Sequence, residues 1–307
     1  MRSLLLAASN NAWMARQATR RRFVRRAVSR FMPGESLEDA LAAARRLRDM
    51  RIGAILTYLG ENITDESEAQ AVVRRYFEAI DRIQAERLDA EVSVKFTQLG
   101  LDLRADLALE HTRCIARRAA ACGQRLWIDM ESTAYTDVTL DLFRRLRADG
   151  ADVGVALQAY LKRTRDDLES LLPLGGSVRI VKGAYREPGD RILTRKRDVD
   201  ENFYALCGRM LEEAVRRSGA RLTIATHDRR LIRRIEADAA SRSIPRDAFE
   251  FAMLYGIQSA EQARLAADGY RVRVLISYGS HWFAWYMRRL AERPANVWFV
   301  VRNALGG

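Results

Sequence analysis

Two adjacent arginines near the end of the chain, Arg288 and Arg289, directly follow aromatic residues in a segment with helical spacing. The aromatic residues are Trp282, Trp285 and Tyr286. Guanidinium groups present N–H donors in a fixed fork that can hold a carboxylate, and aromatic rings offer apolar surface beside it. The pattern indicates a site for a small acid with an apolar body. The alternative is a basic helix end that covers its own backbone carbonyls.

Further ionisable side chains lie at the ends of apolar, strand-like segments. A buried ammonium at Lys95 would be costly without a nearby carboxylate or an anionic ligand. Asp129 and Glu131 alternate along the chain, so in a strand they point the same way and can pair with Lys95 and an arginine. A structural ion-pair network and a catalytic site are both consistent with this spacing. The complete set of strand-end residues is Glu61, Lys95, Asp129, Glu131, Gln158, Lys182, Thr226, His227 and Tyr255.

Two residues of this set, Thr226 and His227, precede a helix that Asp228 can cap. Helix N-termini hold phosphate groups through their free N–H donors, so this position suits a phosphate or pyrophosphate. A later helix is predicted to begin with a capping box of Ser259 and Gln262. The three histidines include no pair at metal-ligand spacing, so we expect no catalytic metal.

Eight segments with continuous runs of Val, Ile and Leu alternate with segments of helical periodicity. This alternation predicts an α/β fold, a closed (βα)8 barrel of the TIM type with helices before it. An open doubly wound sheet is the alternative, but no glycine-rich fingerprint follows the first strand. The predicted strands span residues 52–60, 91–97, 125–130, 152–158, 177–182, 221–226, 249–254 and 271–277. The predicted helices between them include residues 66–87, 104–122, 136–148, 164–171 and 201–217.

The N-terminal part of the chain has a different character from the barrel. Its first thirty residues carry eight arginines and no acid, with apolar residues at helical spacing between them, which favours a surface helix docked by one face. Ser36 with Asp39 can cap a second helix. We therefore divide the chain into a helical segment, residues 1–50, that packs on the barrel, and one catalytic barrel, residues 51–307.

The composition is that of an ordinary soluble protein with a strong positive charge. The net charge is 52 − 40 = +12, and 48% of residues are hydrophobic. No apolar run approaches the roughly 20 residues of a spanning helix, so we expect a cytoplasmic protein. The arginine-rich start favours peripheral contact with the anionic inner membrane face, whereas no nucleic-acid-binding signature is present.

Several motifs together resemble the flavin-dependent proline dehydrogenase family. The run VRIVKGAYREP at residues 178–188 is similar to that family's signature. VSVKFTQLGLDL, IDMES, ALQAY, ATHD, FEFAMLYG and YMRRLAERPAN occur in the family's order, and the length resembles the small monofunctional bacterial form. The resemblance implies a distorted TIM-type barrel with FAD on its open rim. It further implies oxidation of L-proline to Δ1-pyrroline-5-carboxylate, the first step of proline catabolism to glutamate, with a quinone as electron acceptor and a separate pyrroline-5-carboxylate dehydrogenase as a functional partner.

The resemblance also implies roles for single residues. Lys95 would hold the proline carboxylate together with the arginine pair, and Asp129 would lie beside the lysine. Tyr185 would pack near the substrate ring, and Glu61 would pair with the first arginine of the last helix as a gate. Arg179 and Gln158 would hydrogen-bond the isoalloxazine ring, with Arg179 near its N5 atom. The remaining expected cofactor residues are Lys182, Gly183, Ala184, Arg186, Thr226 and His227.

The walls of the implied substrate pocket depart from the family's pattern. Leu275 and Trp285 stand where tyrosines are usual, Ser277 replaces a proline, and Ala252 replaces a common glutamine. The carboxylate clamp and the flavin motifs are intact. Hydroxyproline or another cyclic or N-alkyl amino acid therefore remains open as the substrate.

Two functional hypotheses other than flavin-dependent oxidation also remain open. Lysines at strand ends, Lys95 and Lys182, are compatible with a Schiff-base aldolase on the same barrel. A non-catalytic barrel that binds anionic membrane through the arginine-rich first helix is the third reading. Neither accounts for the whole set of strand-end residues.

Overall fold

The computed structural model describes residues 28–60, 63–283 and 286–287. Its strands are β1 (Gly53–Tyr58), β2 (Ala90–Val94), β3 (Leu126–Ile128), β4 (Val153–Gln158), β5 (Ser177–Val181), β6 (Leu222–Ala225), β7 (Phe249–Leu254) and β8 (Arg271–Tyr278). Each strand pairs in parallel with the next, and β8 pairs with β1, so the sheet closes into a barrel. Every residue of β1, β2 and β4 is buried. The predicted (βα)8 barrel is confirmed, and the open sheet is wrong.

Helices alternate with these strands and cover the barrel. They are α1 (Leu37–Asp49), α2 (Glu66–Ala85), α3 (Ala105–Ala121), α4 (Thr136–Ala148), α5 (Thr164–Leu171), α6 (Lys196–Met210), α7 (Glu213–Arg217), α8 (Arg229–Ser241) and α9 (Ser259–Ala267). None of the helices in the described ranges is long and apolar enough to cross a membrane.

Helix α2 shows why these segments are helical. The Asp65 side chain accepts a hydrogen bond from the backbone N–H of Glu68 at 3.0 Å, which satisfies one of the free donors of the first turn. Val72, Tyr76 and Ile80 recur at a spacing of four residues and are buried, so one face of the helix packs on the barrel.

Two helix predictions are corrected. The helix expected over residues 201–217 begins earlier and divides into α6 and α7, because Glu212 has extended backbone angles (φ −62°, ψ 143°). The predicted capping box of Ser259 and Gln262 is wrong. Gln258 precedes α9 in the left-handed conformation, and the Gln262 side chain instead donates to the Ile257 carbonyl at 2.8 Å.

The segment just before α1 packs on residues that follow strands β7 and β8. Ser36 and Asp39 form the predicted capping box at the start of α1. Trp282 Nε1 donates to Glu35 Oε1 at 2.9 Å. A Cβ atom at Gly256 (φ +72°) would lie 1.6 Å from the Arg30 carbonyl oxygen, so only glycine permits this approach. Residues 1–27 lie outside the described residues, and the docking of the first helix stays a prediction.

A buried charge cluster, called here the floor cluster, fills the end of the barrel where the strands begin. It consists of Glu91, Glu250, Arg221, Arg273 and Trp127. Arg221 Nη2 lies 2.6 Å from Glu91 and 3.2 Å from Glu250, and Arg273 Nε lies 2.9 Å from Glu250. Trp127 Nε1 donates to Glu91 at 2.6 Å. Burial alone would raise the pKa of Glu91, but the two arginines outweigh it and hold that pKa below its usual value.

Candidate active site

Three charged side chains meet at the opposite end of the barrel. Lys95 directly follows β2, Asp129 directly follows β3, and Arg179 lies within β5. Lys95 Nζ is 3.4 Å from Asp129 Oδ2, and Arg179 Nη2 donates to Asp129 Oδ1. The predicted pairing of Asp129 with Lys95 and an arginine is therefore confirmed. Only 7% of Lys95 and 3% of Arg179 is exposed, so both charges depend on this carboxylate.

The two acids of this region have different environments. Burial alone would raise the pKa of Asp129, but Lys95, Arg179 and the Ser93 hydroxyl outweigh it and hold that pKa below its usual value. Burial raises the pKa of Glu131, and its neighbours offset this only in part. Glu131 accepts hydrogen bonds from Thr97 Oγ1 at 2.8 and 3.0 Å. Glu131 forms no salt bridge with Lys95 in the described part of the chain, although the charge of Lys95 acts to lower its pKa, because β3 ends at Ile128 and the strand alternation ends with it.

Arg179 and Gln158 each keep a buried polar atom without a partner in the described part of the chain. These atoms are Arg179 Nη1, a donor, and Gln158 Oε1, an acceptor. Gln158 Nε2 donates to the Glu131 carbonyl at 3.1 Å, which fixes the direction of its amide. The two residues lie on the adjacent paired strands β4 and β5. A buried donor and acceptor left unpaired are costly, so this wall fits a ligand that offers both complements.

The rim near β5 and β6 carries a second group of paired charges. Lys182 Nζ lies 2.6 Å from Asp200 and 3.0 Å from Asp228. The Leu254 N–H donates to His227 Nε2 at 2.9 Å, so the ring proton of neutral His227 is on Nδ1. Thr226 Oγ1 accepts from the Asp228 N–H at 3.1 Å, and Asp228 caps α8 as predicted. Roles of Lys182, Thr226 and His227 in cofactor binding stay predictions.

The loop after β5 carries the next expected cofactor residues and is held on two sides. Gly183 (φ +105°) faces the Tyr160 ring, where a Cβ atom would lie 2.1 Å from the ring, so a side chain here would displace the loop. The Leu193 N–H donates to the Tyr160 carbonyl at 2.7 Å, and the Thr133 N–H donates to Glu187 at 2.8 Å. On this loop, Ala184 and Tyr185 are half-buried and Arg186 is exposed.

Three of the residues that depart from the family's pattern lie on β7 and β8. Leu275 is half-buried and pairs in register with Ile55 of β1 and Leu254 of β7. Ser277 and Ala252 are buried. Glu61, Trp285, Arg288 and Arg289 lie outside the described residues, so their predicted roles stay predictions.

The aromatic residues before the arginine pair anchor the chain. Trp282 and Tyr286 are buried, and their rings meet edge to face at 6.2 Å. Tyr286 also lies 6.2 Å from the ring of Phe31. These two rings therefore fix the start of the last helix to the segment before α1.

Ser93 and Thr97 contact the central acids and were missed from the sequence. Ser93 Oγ donates to Asp129 Oδ1 at 2.7 Å, and Thr97 holds Glu131. The period of two in a strand could have found Ser93, because it lies two residues before Lys95 and so points to the same side. Thr97 lies in a 3-10 turn, Phe96–Leu99, where the predicted strand has already ended.

Comparison with known proteins gives one consistent result. The family model described as proline dehydrogenase matches residues 40–302. Proline dehydrogenase 1 of Bacillus subtilis (strain 168) is 38% identical over 276 residues, covering 90% of each chain. Proline dehydrogenase of Deinococcus radiodurans is 38% identical over 285 residues, covering 91% of this chain and 90% of that protein. Among solved structures, proline utilization A of Bdellovibrio bacteriovorus, inactivated by N-propargylglycine, matches with a TM-score of 0.79 and 25% identity over 87% of this chain and 32% of that longer chain.

Proposed function

The chain belongs to the proline dehydrogenase family and is an enzyme that oxidises proline; on that premise we propose that it uses FAD and passes the electrons to a quinone. The product would be Δ1-pyrroline-5-carboxylate, in the first step of proline catabolism to glutamate. The observation that carries the cofactor proposal is the pair of unpartnered buried atoms on Arg179 and Gln158.

These two atoms fit the edge of an isoalloxazine ring. That edge carries acceptor nitrogen and oxygen atoms as well as an N–H donor, so it complements Arg179 Nη1 and Gln158 Oε1. Bound FAD would supply the electron-accepting chemistry, by taking the hydride from the carbon next to the amine nitrogen. Arg179 would place a positive charge beside the ring, where it stabilises negative charge that develops there. Lys182, Gly183, Ala184, Arg186, Thr226 and His227 would hold the rest of the cofactor.

The charge of the site supports binding of a carboxylate. Lys95, Arg288 and Arg289 are the proposed clamp, and Asp129 is already engaged by Lys95 and Arg179. Asp129 is shared by Lys95 and Arg179, and the proposed clamp adds two arginines, so a substrate carboxylate improves the balance of charge. We propose that Glu61 gates the pocket and that Tyr185, Leu275 and Trp285 form its walls. The enzyme is then mainly a positioning device that presents the ring carbon to the cofactor.

The reaction rate should rise with pH from neutral to mildly alkaline conditions, because the substrate amine must lose its proton before oxidation. Asp129 does not add to this rise, since its pKa is lowered and it stays ionised throughout the range. The measurement is kcat/KM for proline against pH, with N-methyl and hydroxylated prolines of different amine pKa as comparison. The rise should move with the amine pKa of the substrate. A flat profile would contradict this account.

Leu275→Tyr is expected to improve kcat/KM for proline by roughly 2- to 10-fold, because the larger ring would bury more apolar surface of the substrate, at about 25 cal/mol per Å². Leu103→Tyr, at an exposed leucine, is the control. If Leu275→Tyr lowers activity with proline, Leu275 is fitted to another substrate. Assays with hydroxyproline and N-alkyl amino acids would then identify it.

The aldolase alternative finds no support in the geometry. A Schiff-base lysine must act as a neutral amine. Lys95 is paired with Asp129, and Lys182 is paired with both Asp200 and Asp228, so each nitrogen is held by carboxylates and not presented to a carbonyl.

The proposed quinone acceptor has a consequence for the location of the enzyme in the cell. We propose a cytoplasmic enzyme that touches the inner membrane face peripherally, where quinones reside, and that supplies its product to a separate pyrroline-5-carboxylate dehydrogenase. The net charge of +12 supports the membrane contact. Binding to anionic liposomes should then weaken as salt is added, because salt screens exposed charges.

The visible spectrum of the purified protein tests the central proposal. A flavin spectrum that bleaches on anaerobic addition of L-proline is the expected result. Flavin that binds and stays oxidised with proline would keep the cofactor and change the substrate. Absence of flavin after reconstitution with FAD would overturn the cofactor assignment.

A further inference from the structure

Ser93 lies at the junction of the two strands that carry the central ion pair. It is wholly buried in β2. Its hydroxyl donates to Asp129 Oδ1 at 2.7 Å and accepts from Arg179 Nη2 at 3.0 Å. The same Asp129 oxygen also accepts from Arg179 Nη2. One hydroxyl thus closes a triangle of hydrogen bonds between an acid and a guanidinium.

The backbone of Ser93 is also fixed by hydrogen bonds. The Ser93 carbonyl accepts a hydrogen bond from the Tyr76 hydroxyl at 2.8 Å, and that hydroxyl also accepts from the Tyr58 N–H at 3.2 Å. Tyr76 is wholly buried on α2. The triangle is therefore tied to β1, β2 and a surface helix.

We propose that Ser93 is a positioning residue that holds Arg179 Nη2 on Asp129 and so keeps the other guanidinium nitrogen, Nη1, directed at the flavin. A guanidinium is planar and rigid, so fixing one terminal nitrogen to two oxygens fixes the direction of the other. If Arg179 Nη2 donated to the Asp129 oxygen alone, the guanidinium could rotate about that one contact. This inference rests on the proposed FAD site.

Ser93→Ala tests the proposal in the flavin-loaded enzyme. Loss of a hydrogen bond to a charged group is expected to lower kcat by about 10-fold. The KM for proline should change by less than about twofold, because Lys95 still contacts Asp129. The flavin midpoint potential should shift to a more negative value, since a displaced Arg179 stabilises the reduced ring less. An unchanged potential together with an unchanged kcat would overturn the proposal.

Ser177→Ala is the matched control. Ser177 is also a buried serine on a barrel strand, and its hydroxyl accepts from the Arg221 N–H at 3.1 Å, at the start of β5. We expect the kcat and potential of this variant to stay near the wild-type values. Equal losses in both serine variants would mean that Ser93 serves packing alone, which also overturns the proposal.

Two further measurements separate this inference from the cofactor assignment. In an Asp129→Asn background, Ser93→Ala should cost much less than in the wild type, because residues in one network are not additive. Crystal structures of the flavin-free wild type and Ser93→Ala need no cofactor. They should show the Arg179 guanidinium rotated in the variant, and an unmoved guanidinium would overturn the proposal even if the protein binds no flavin.

Discussion

Lys95→Met is expected to lower kcat/KM for proline by about 100-fold or more, with most of the loss in KM. Truncating one partner of a buried charge pair costs about 2–5 kcal/mol, and the buried Lys95 would form such a pair with the substrate carboxylate. Methionine keeps the length and apolar stem of lysine, so the pocket should stay filled while the ammonium is lost. Steady-state kinetics with a soluble quinone analogue provide the measurement.

Two comparisons show whether the loss comes from the substrate carboxylate. Lys162→Met changes an exposed lysine and should leave kcat/KM within about twofold of the wild type. Pyrrolidine has the same ring without the carboxylate, so Lys95→Met should reduce its already weak oxidation very little. If the variant loses as much activity with pyrrolidine as with proline, Lys95 does not act through the carboxylate. Retention of wild-type kcat/KM with proline would place the clamp elsewhere.

Glu250→Ala should lower the free energy of unfolding by up to about 3–5 kcal/mol, because it removes one of the two buried acids that face the guanidiniums of the floor cluster. Glu250 is 1% exposed and lies 2.9 Å from Arg273 and 3.2 Å from Arg221. It also accepts from Thr223 Oγ1 at 2.6 Å. Glu91 remains as a buried acid, and Asp89, which is 69% exposed, still pairs with Arg273 at 3.0 Å, so one buried acid then faces two guanidiniums. Urea denaturation followed by far-UV circular dichroism gives the measurement.

Glu201→Ala provides the matched control for this loss. Glu201 is 52% exposed and pairs with Arg234 at 2.7 Å, so its removal should lower stability far less than removal of Glu250. Glu250→Gln keeps the volume and the acceptor for Thr223 while removing the charge. A loss for Glu250→Gln close to that for Glu250→Ala would assign the effect to charge. If Glu250→Ala were no worse than Glu201→Ala, the floor cluster would not stabilise the fold as described.

The barrel could be predicted because each strand carries its own signal. Runs of Val, Ile and Leu bounded by polar turns identify strands buried on both faces, and their alternation with helices leaves few topologies. The floor cluster could not be predicted in the same way. Glu91 and Arg221 are 130 residues apart in the chain, and nothing local to either residue shows that they meet. A charged residue inside an apolar strand predicts that an oppositely charged partner is present, but it does not identify that partner.

Contacts within the candidate site could likewise be predicted only where a local pattern points to them. Alternation along a strand placed Asp129 toward Lys95, and the pairing is confirmed. The same rule did not predict the hydrogen bonds of Glu131, since the chain leaves strand geometry after Ile128 and the side chain accepts from Thr97. Ser93 obeyed the rule and was overlooked, because serine in a strand gives no signal of chemistry by itself.

Closure of the barrel between its first and last strands has a consequence for synthesis of the protein in the cell. Strand β1 forms hydrogen bonds with β8 from Gly53↔Arg273 to Tyr58↔Tyr278. The ribosome releases β1 long before β8 exists, so every nascent chain carries an open sheet edge for most of its translation. Open edges recruit other chains, and slow parallel pairing prolongs their exposure. The β1 edge is therefore open to wrong pairing until Tyr278 has emerged from the ribosome.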